Sequence, residues 1–101
     1  MMNLFKSVFG GANTSNIDDV LAQGAVIIDV RSPGEFAGGH AKGAVNIPLD
    51  QLESNVGKVK NYKKPIVVCC ASGMRSARAK AILASRGVTD LHDAGSWQNI
   101  K

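Results

Sequence analysis

Only two cysteines occur among the 101 residues, and they are chain neighbours, Cys69 and Cys70. A bond between them would strain the peptide that joins them, because bridged Cα atoms usually sit about 5.5 Å apart and consecutive ones about 3.8 Å. No disulfide framework is therefore expected, and a reducing compartment fits. Histidine is equally scarce. His40 and His92 stand at no zinc spacing to each other or to the thiols, and a closed site usually takes four ligands, so neither a metal site nor a cofactor is expected. No segment is long and apolar enough to cross a bilayer, and Met1 to Gly11 lack the uninterrupted apolar stretch of a signal peptide. These absences point to a cytoplasmic protein with no membrane partner. Internal repeats are missing too. Acidic residues are the minority charge, 8 against 12 basic ones for a net +4. The excess gathers in Lys58, Lys60, Lys63 and Lys64 beside a lone aromatic, Tyr62, which reads as a solvated connector, so no nucleic-acid partner is expected.

What is present is an alternation of strand and helix patterns, the signature of an α/β domain with a mainly parallel central sheet and helices on both faces. A single domain of this length buries somewhat over 60% of its unfolded surface, about enough for one core without staples. Residues 14–101 are assigned to that domain. Residues 1–13, with Gly10-Gly11 as a hinge, are assigned to a loosely held arm whose apolar side chains Leu4, Phe5, Val8 and Phe9 have their own domain or a neighbour to dock on; the oligomeric state is left open. Ser15 is placed as the N-cap of a first helix with Ile17, Val20 and Leu21 on its apolar face and Gly24 closing it. The unbroken runs Ala25 to Asp29 and Ile66 to Cys69 suit strands covered on both faces. Between them come a helical turn at Pro33 to Phe36, a strand at Ala44 to Ile47 and a polar-faced helix at Leu49 to Val56. A helix from about Arg75 to Arg86, ended by Gly87, and a strand at Asp90 to Asp93 complete the domain.

The most informative passage is Cys70-Ala71-Ser72-Gly73-Met74-Arg75-Ser76, where the apolar strand gives way to a helix. Such a junction aims unpaired backbone N–H groups, the first-turn donors of the helix among them, at the space above the turn. Those dipoles and the Arg75 guanidinium favour a thiolate, and a reference pKa of about 8.5 is expected to fall to roughly 7 or below. Gly73 in mid-loop supplies the positive φ that a tight nest of N–H groups commonly needs. Cys69 still belongs to the strand, whose side chains alternate between faces, so it is expected to be a small buried hydrophobe with a raised pKa that points away from Cys70.

The pattern Cys-x-x-Gly-x-Arg-Ser resembles the active-site loop of the rhodanese family of sulfurtransferases. Three further stretches agree: Val26 to Arg31 with Pro33 and Glu35-Phe36, which looks like the family's strand ending in Asp-x-Arg; Gly39-His40 leading to Asn46-Ile47-Pro48; and Ala94-Gly95 followed by Trp97. The resemblance runs from about Ile17 to Trp97. It departs at Ala94, where the family often has Gly, and at Ala41-Lys42, which replaces a commoner Ile-Pro.

That resemblance implies a rhodanese-like three-layer fold and a two-step sulfur transfer. A donor such as thiosulfate, a polysulfide or a persulfide passes its outer sulfur to Cys70, and a thiophilic acceptor, cyanide in an assay or a protein or low-molecular-weight thiol, removes it. Cys70 is the catalytic residue in this reading. Ala71, Ser72, Gly73, Met74, Arg75 and Ser76 bind the anionic persulfide and donor, and no separate general base is needed. Arg75 either binds the donor or braces the loop. Asp29 and Arg31 support the site, Arg31 and Glu35 are expected to pair across their short turn, His40 is a hydrogen-bonded turn residue, and Trp97 packs at an edge of the core or near the pocket. Because the loop carries one cation, thiosulfate is expected to be a poorer donor than a polysulfide or protein persulfide. Four residues separate Cys70 from Arg75 where Cys-dependent phosphatases usually have five, and no Asp stands nearby as leaving-group acid, Asp93 being a weak candidate. The alternatives from another class are a non-enzymatic sulfur-carrier or regulatory module, and a redox sensor that would form a sulfenic acid at Cys70.

Overall fold

The computed structural model describes the backbone from Ala12 to Lys101 and side chains from Ile17 onward. The assigned arm, residues 1–13, thus falls almost entirely outside the described residues. Helix α1 spans Ala12–Ala22, so Ser15 lies inside it rather than at its cap, and Gly24 ends the turn after it with φ +90° as expected. Then follow β1 (Val26–Asp29), α2 (Pro33–Ala37), β2 (Val45–Asn46), two 3₁₀ turns (Leu49–Gln51 and Glu53–Asn55), α3 (Val56–Asn61), β3 (Ile66–Cys70), α4 (Met74–Ser85), β4 (Leu91–Ser96) and a last 3₁₀ turn (Trp97–Asn99).

The four strands form one sheet in the order β2-β1-β3-β4, and every pairing is parallel. The two continuously apolar runs occupy its centre, where both faces are covered. Alternation along them builds two cores. Ile28, Val30, Ile66, Val68 and Cys70 face Leu52, Val59, Ala79 and Leu83 on the side of α3 and α4. Ile27, Val67, Cys69 and Ala94 face Ile17 and Val20 of α1 on the other. Helices therefore lie on both faces of a parallel sheet, a three-layer α/β domain. Among the described residues no helix is long and apolar enough to cross a membrane.

Three elements differ from the sequence expectation. The segment Leu49 to Val56 is not one helix: its i→i+3 bonds, such as Gln51 N–H to Pro48 O, wind it as two tight turns that drop Leu52 into the core, fully buried. The Ser54 hydroxyl and the Asn55 side-chain amide both donate to the Gln51 carbonyl, supplying the local side-chain partners that compete with regular helix. Gly57, Lys58 and Lys60 instead lie within α3, leaving only Lys63 and Lys64 in the connector beyond it. Strand β4 runs on to Ser96 through a bulge, because Val68 pairs with Asp93 and Cys69 with Gly95, leaving Ala94 unmatched.

Candidate functional site

Cys70 is the last residue of β3, paired with Ser96, and α4 begins only four positions later at Met74. Gly73 makes that turn with φ +112°, a conformation that L side chains rarely adopt. The turn folds two N–H groups back onto the sulfur: Gly73 N–H donates to Cys70 Sγ at 2.9 Å and Ser76 N–H at 3.3 Å. Ser76 is fully buried, and its hydroxyl donates to the Gly73 carbonyl at 3.1 Å, closing the loop on itself. Burial of Cys70 pushes its thiol pKa up, but the Ser76 hydroxyl and N–H groups from Ser76, Gly73 and Ser72 outweigh it, and the net shift is downward. Met74 and Arg75 contribute first-turn N–H groups with no intrahelical acceptor.

The neighbouring thiol has the opposite fate. Cys69 packs in the α1-side core, and burial, reinforced by the Asp29 charge, pushes it up to about 12. One peptide bond thus separates an inert thiol from an activated one.

Arg75 does not stand free at the loop. It forms a two-pronged ion pair with Glu35 of α2, Nη1 to Oε1 at 2.7 Å and Nη2 to Oε2 at 3.0 Å. The Glu35 carboxylate is therefore not the ion-pair partner of Arg31 that the sequence suggested; Arg31 Nη1 reaches only the Glu35 backbone carbonyl, at 3.4 Å. The reason is local: Ser32-Pro33-Gly34-Glu35 is a capping box, in which Ser32 N–H and hydroxyl donate to Glu35 Oε1 at 3.0 Å each, and this turns the carboxylate outward toward α4. Arg75, followed by Ser32, draws the Glu35 pKa down to about 2. The Arg75 guanidinium is thus already engaged by a carboxylate.

Arg31 turns inward instead. Its Nε donates to both Asp29 carboxylate oxygens at 3.0 and 3.1 Å, and its Nη2 reaches Asp29 Oδ2 and the Gly39 carbonyl, each at 2.7 Å. Both side chains are almost wholly buried. Asn46 locks the same corner by donating to the carbonyls of Asp29 and Arg31. Trp97 lies over the Arg31 guanidinium, 4.8 Å from charge centre to ring, and presses against Gly39. This cluster ties the carboxyl ends of β1 and β4 to the Gly39 turn beside the loop. His40 donates through Nδ1 to the Phe36 carbonyl at 2.8 Å and stacks on the Phe36 ring, a turn role as expected. Asp93 accepts from Gly95 N–H within the β4 bulge at 2.8 Å.

Reasoning from sequence brought Cys70 and its loop together but missed Glu35 as the partner of Arg75, as well as Asn46 and Arg78. Glu35 carried a readable signal, the Ser-x-x-Glu spacing, and Asn46 stood in the matching Asn46-Ile47-Pro48 stretch with its role unread. Arg78 lines a groove of about 600 Å³ that runs between α4 and the loops following β1 and β2, with Arg75 also on its wall.

Comparison with known proteins follows the same lines. The family model described as Rhodanese-like domain matches residues 14–101. An uncharacterized Bacillus subtilis protein, YqhL, is 42% identical over 69 residues, 68% of this chain and 54% of its own length, so the chain spans about half of that relative. Thiosulfate sulfurtransferase PspE of Escherichia coli is 35% identical over 74 residues, covering 72% of this chain and 71% of PspE. Among solved structures, an E. coli rhodanese with anions superposes with a TM-score of 0.70 at 34% identity, over 75% of this chain and 91% of that one. The human single-domain sulfurtransferase TSTD1 does so with a TM-score of 0.70 at 32% identity, over 84% and 88%.

Proposed function

The chain belongs to the rhodanese-like domain family, and from that premise we propose that it is a sulfurtransferase working through a persulfide on Cys70. The observation that carries this reading is the sulfur itself: a buried thiol at a strand-to-helix turn, held at 2.9 and 3.3 Å by the N–H groups of Gly73 and Ser76, with its pKa shifted down against the pull of burial. N–H groups aimed at sulfur stabilise a thiolate and, after transfer, the negative charge of a persulfide. In the first step the Cys70 thiolate attacks the outer sulfur of the donor. With thiosulfate, the Sγ–S bond forms as the S–S bond to the sulfonate breaks, and sulfite leaves with the electron pair. In the second step an acceptor nucleophile takes that sulfur and returns Cys70 as thiolate. Cyanide would leave as thiocyanate. Neither step requires a base or an outside oxidant.

Arg75 bears on the choice of donor. Its charge is shared with Glu35, which weakens its hold on a small dianion and favours a polysulfide or persulfide over thiosulfate. Asp29 and Arg31 act as supports through the Gly39 turn.

Intact-protein mass spectrometry tests the reading. Wild type incubated with polysulfide should gain one sulfur, lose it to cyanide and release thiocyanate, and Cys70→Ser should gain none. An adduct-free wild type after both thiosulfate and polysulfide would overturn it.

A further inference from the structure

We infer that the groove beside the loop is a docking site for an extended peptide segment that carries the sulfur acceptor, a cysteine flanked by an acidic and an apolar residue on a partner protein. This rests on the persulfide reading of Cys70. Three observations carry it. The groove is large for a small anion, about 600 Å³, and its walls include the apolar Val30, Pro33, Pro48, Leu49 and Ile82. Its α4 wall is a helical stripe, Arg75, Arg78 and Ile82, spaced three and then four residues apart so that all face one way. Met74 sits one turn above Arg78 on the same helix and is 83% exposed, a large apolar side chain left in water at the edge of the active loop.

Charge decides what the groove selects. Of the two arginines on the α4 wall, Arg75 is neutralised by Glu35. Arg78 is exposed and has no carboxylate partner among the described residues, and residues 1–16 contain no Asp or Glu to supply one. The opposite wall, from the first 3₁₀ turns, holds Glu53, already paired with Arg86, and Asp50, an exposed carboxylate with no basic partner among the described residues, so the free charges are negative on that wall and positive on the α4 wall, and an acidic side chain is drawn to the α4 side. An unpaired cation on the loop side attracts a carboxylate placed next to the acceptor thiol, while Met74, Leu49 and Ile82 offer contact to apolar residues around it. In the transfer, the peptide thiolate attacks the outer sulfur of the Cys70 persulfide. A new S–S bond forms on the peptide, the bond to Sγ breaks, and Cys70 leaves as thiolate, with no net oxidation.

The test loads Cys70 with polysulfide, removes excess donor, and measures transfer to two peptide thiols, Ac-Leu-Asp-Cys-Glu-Leu-NH₂ and Ac-Leu-Lys-Cys-Lys-Leu-NH₂, in wild type, Arg78→Glu and Met74→Ser. Wild type should favour the acidic peptide at least tenfold. Arg78→Glu should abolish or reverse that ratio, and Met74→Ser should slow both peptides severalfold. Discharge by cyanide should change less than twofold in Arg78→Glu. Because intrinsic reactivity differs between the peptides, the change in their ratio on Arg78→Glu is the deciding number. An unchanged ratio, or a parallel loss of cyanide discharge, overturns the docking site. Failure of Cys70 to load at all would instead remove the persulfide reading, so the two outcomes remain separate.

Discussion

Cys69 and Cys70 share a peptide bond yet point into opposite cores, Cys69 toward α1 and Cys70 toward α4, and their thiol pKa values move in opposite directions. The pleat of β3 produces the separation, and the turn after it produces the difference in acidity. A protein with two adjacent thiols is therefore expected to behave as if it had one.

Thiolate absorbance measured against pH should show a single group titrating below the ordinary thiol value. Cys70→Ser should remove that step and Cys69→Ser should leave it in place. Ser76→Ala should move it upward, because the hydroxyl, which donates to the Gly73 carbonyl beside a neutral thiol, can turn its one proton to the thiolate. A low-pH step that persists in Cys70→Ser would count against the assignment.

Cys69 makes its own prediction for alkaline stability. Its folded pKa of about 12 lies above the ordinary 9.0, so its contribution is fully present below pH 9.0 and is lost as pH rises toward 12, where the unfolded chain ionises first. Urea denaturation of Cys69→Ala should show a shallower loss of stability between those limits than wild type. Parallel slopes would contradict burial as the cause.

Glu35→Gln should release Arg75. Saturation kinetics with thiosulfate are expected to show a KM lowered severalfold with kcat little changed, since a freed guanidinium binds the donor rather than the transition state alone. Glu35 is drawn from 4.5 to about 2, so the stabilising pair is fully present above pH 4.5 and disappears only as pH falls through about 2. Any acid limb of activity above pH 4.5 should therefore survive in Glu35→Gln. A raised KM in this variant would show that the bridge itself shapes the donor site.

Asp29→Asn leaves the Arg31 charge buried without its counter-ion. Breaking such a pair costs about 3–5 kcal/mol. Thermal and urea unfolding should register most of that loss. A change under about 1 kcal/mol would mean that the Gly39 carbonyl and the Trp97 ring suffice to hold the guanidinium.

Gly73→Ala must take φ +112° with a Cβ, at a cost of roughly 1–2 kcal/mol, or twist the Gly73 N–H away from the sulfur. In the second case the thiolate step moves up and sulfur loading slows at neutral pH. Unaltered thiol titration together with normal stability would show that the turn does not depend on glycine.

Much of this could be read along the chain because the deciding signals were local. Continuous apolar runs marked β1 and β3, and a cysteine placed just before Gly73 and an Ala-rich helix marked the loop. Positive φ at Gly24, Gly73 and Gly87 follows from what glycine permits. The misreadings arose where partners lie far apart in sequence. Glu35 is four residues from Arg31 but forty from Arg75, and only the packing of α2 beside α4 decides between them. Leu49 to Val56 has helical periodicity, yet Leu52 must enter the core while Ser54 and Asn55 engage the Gln51 carbonyl, and tight turns satisfy both. Asn46 stood in the Asn46-Ile47-Pro48 stretch, but nothing local showed that its amide would bond the carbonyls of Asp29 and Arg31, and Arg78 carried no pattern at all.

The strand order has a consequence for synthesis. β1 sits in the middle of the sheet, but its longest pairing, Val26 with Ile66 through Asp29 with Cys69, awaits a strand forty residues later. A ribosome must therefore release β3 before the central ladder can close, and until then the apolar edge of β1 is shielded on one side only by the two-residue ladder with β2. Folding of this chain is expected to be late and cooperative rather than progressive, with the Cys70 turn assembled in the same event that closes the core.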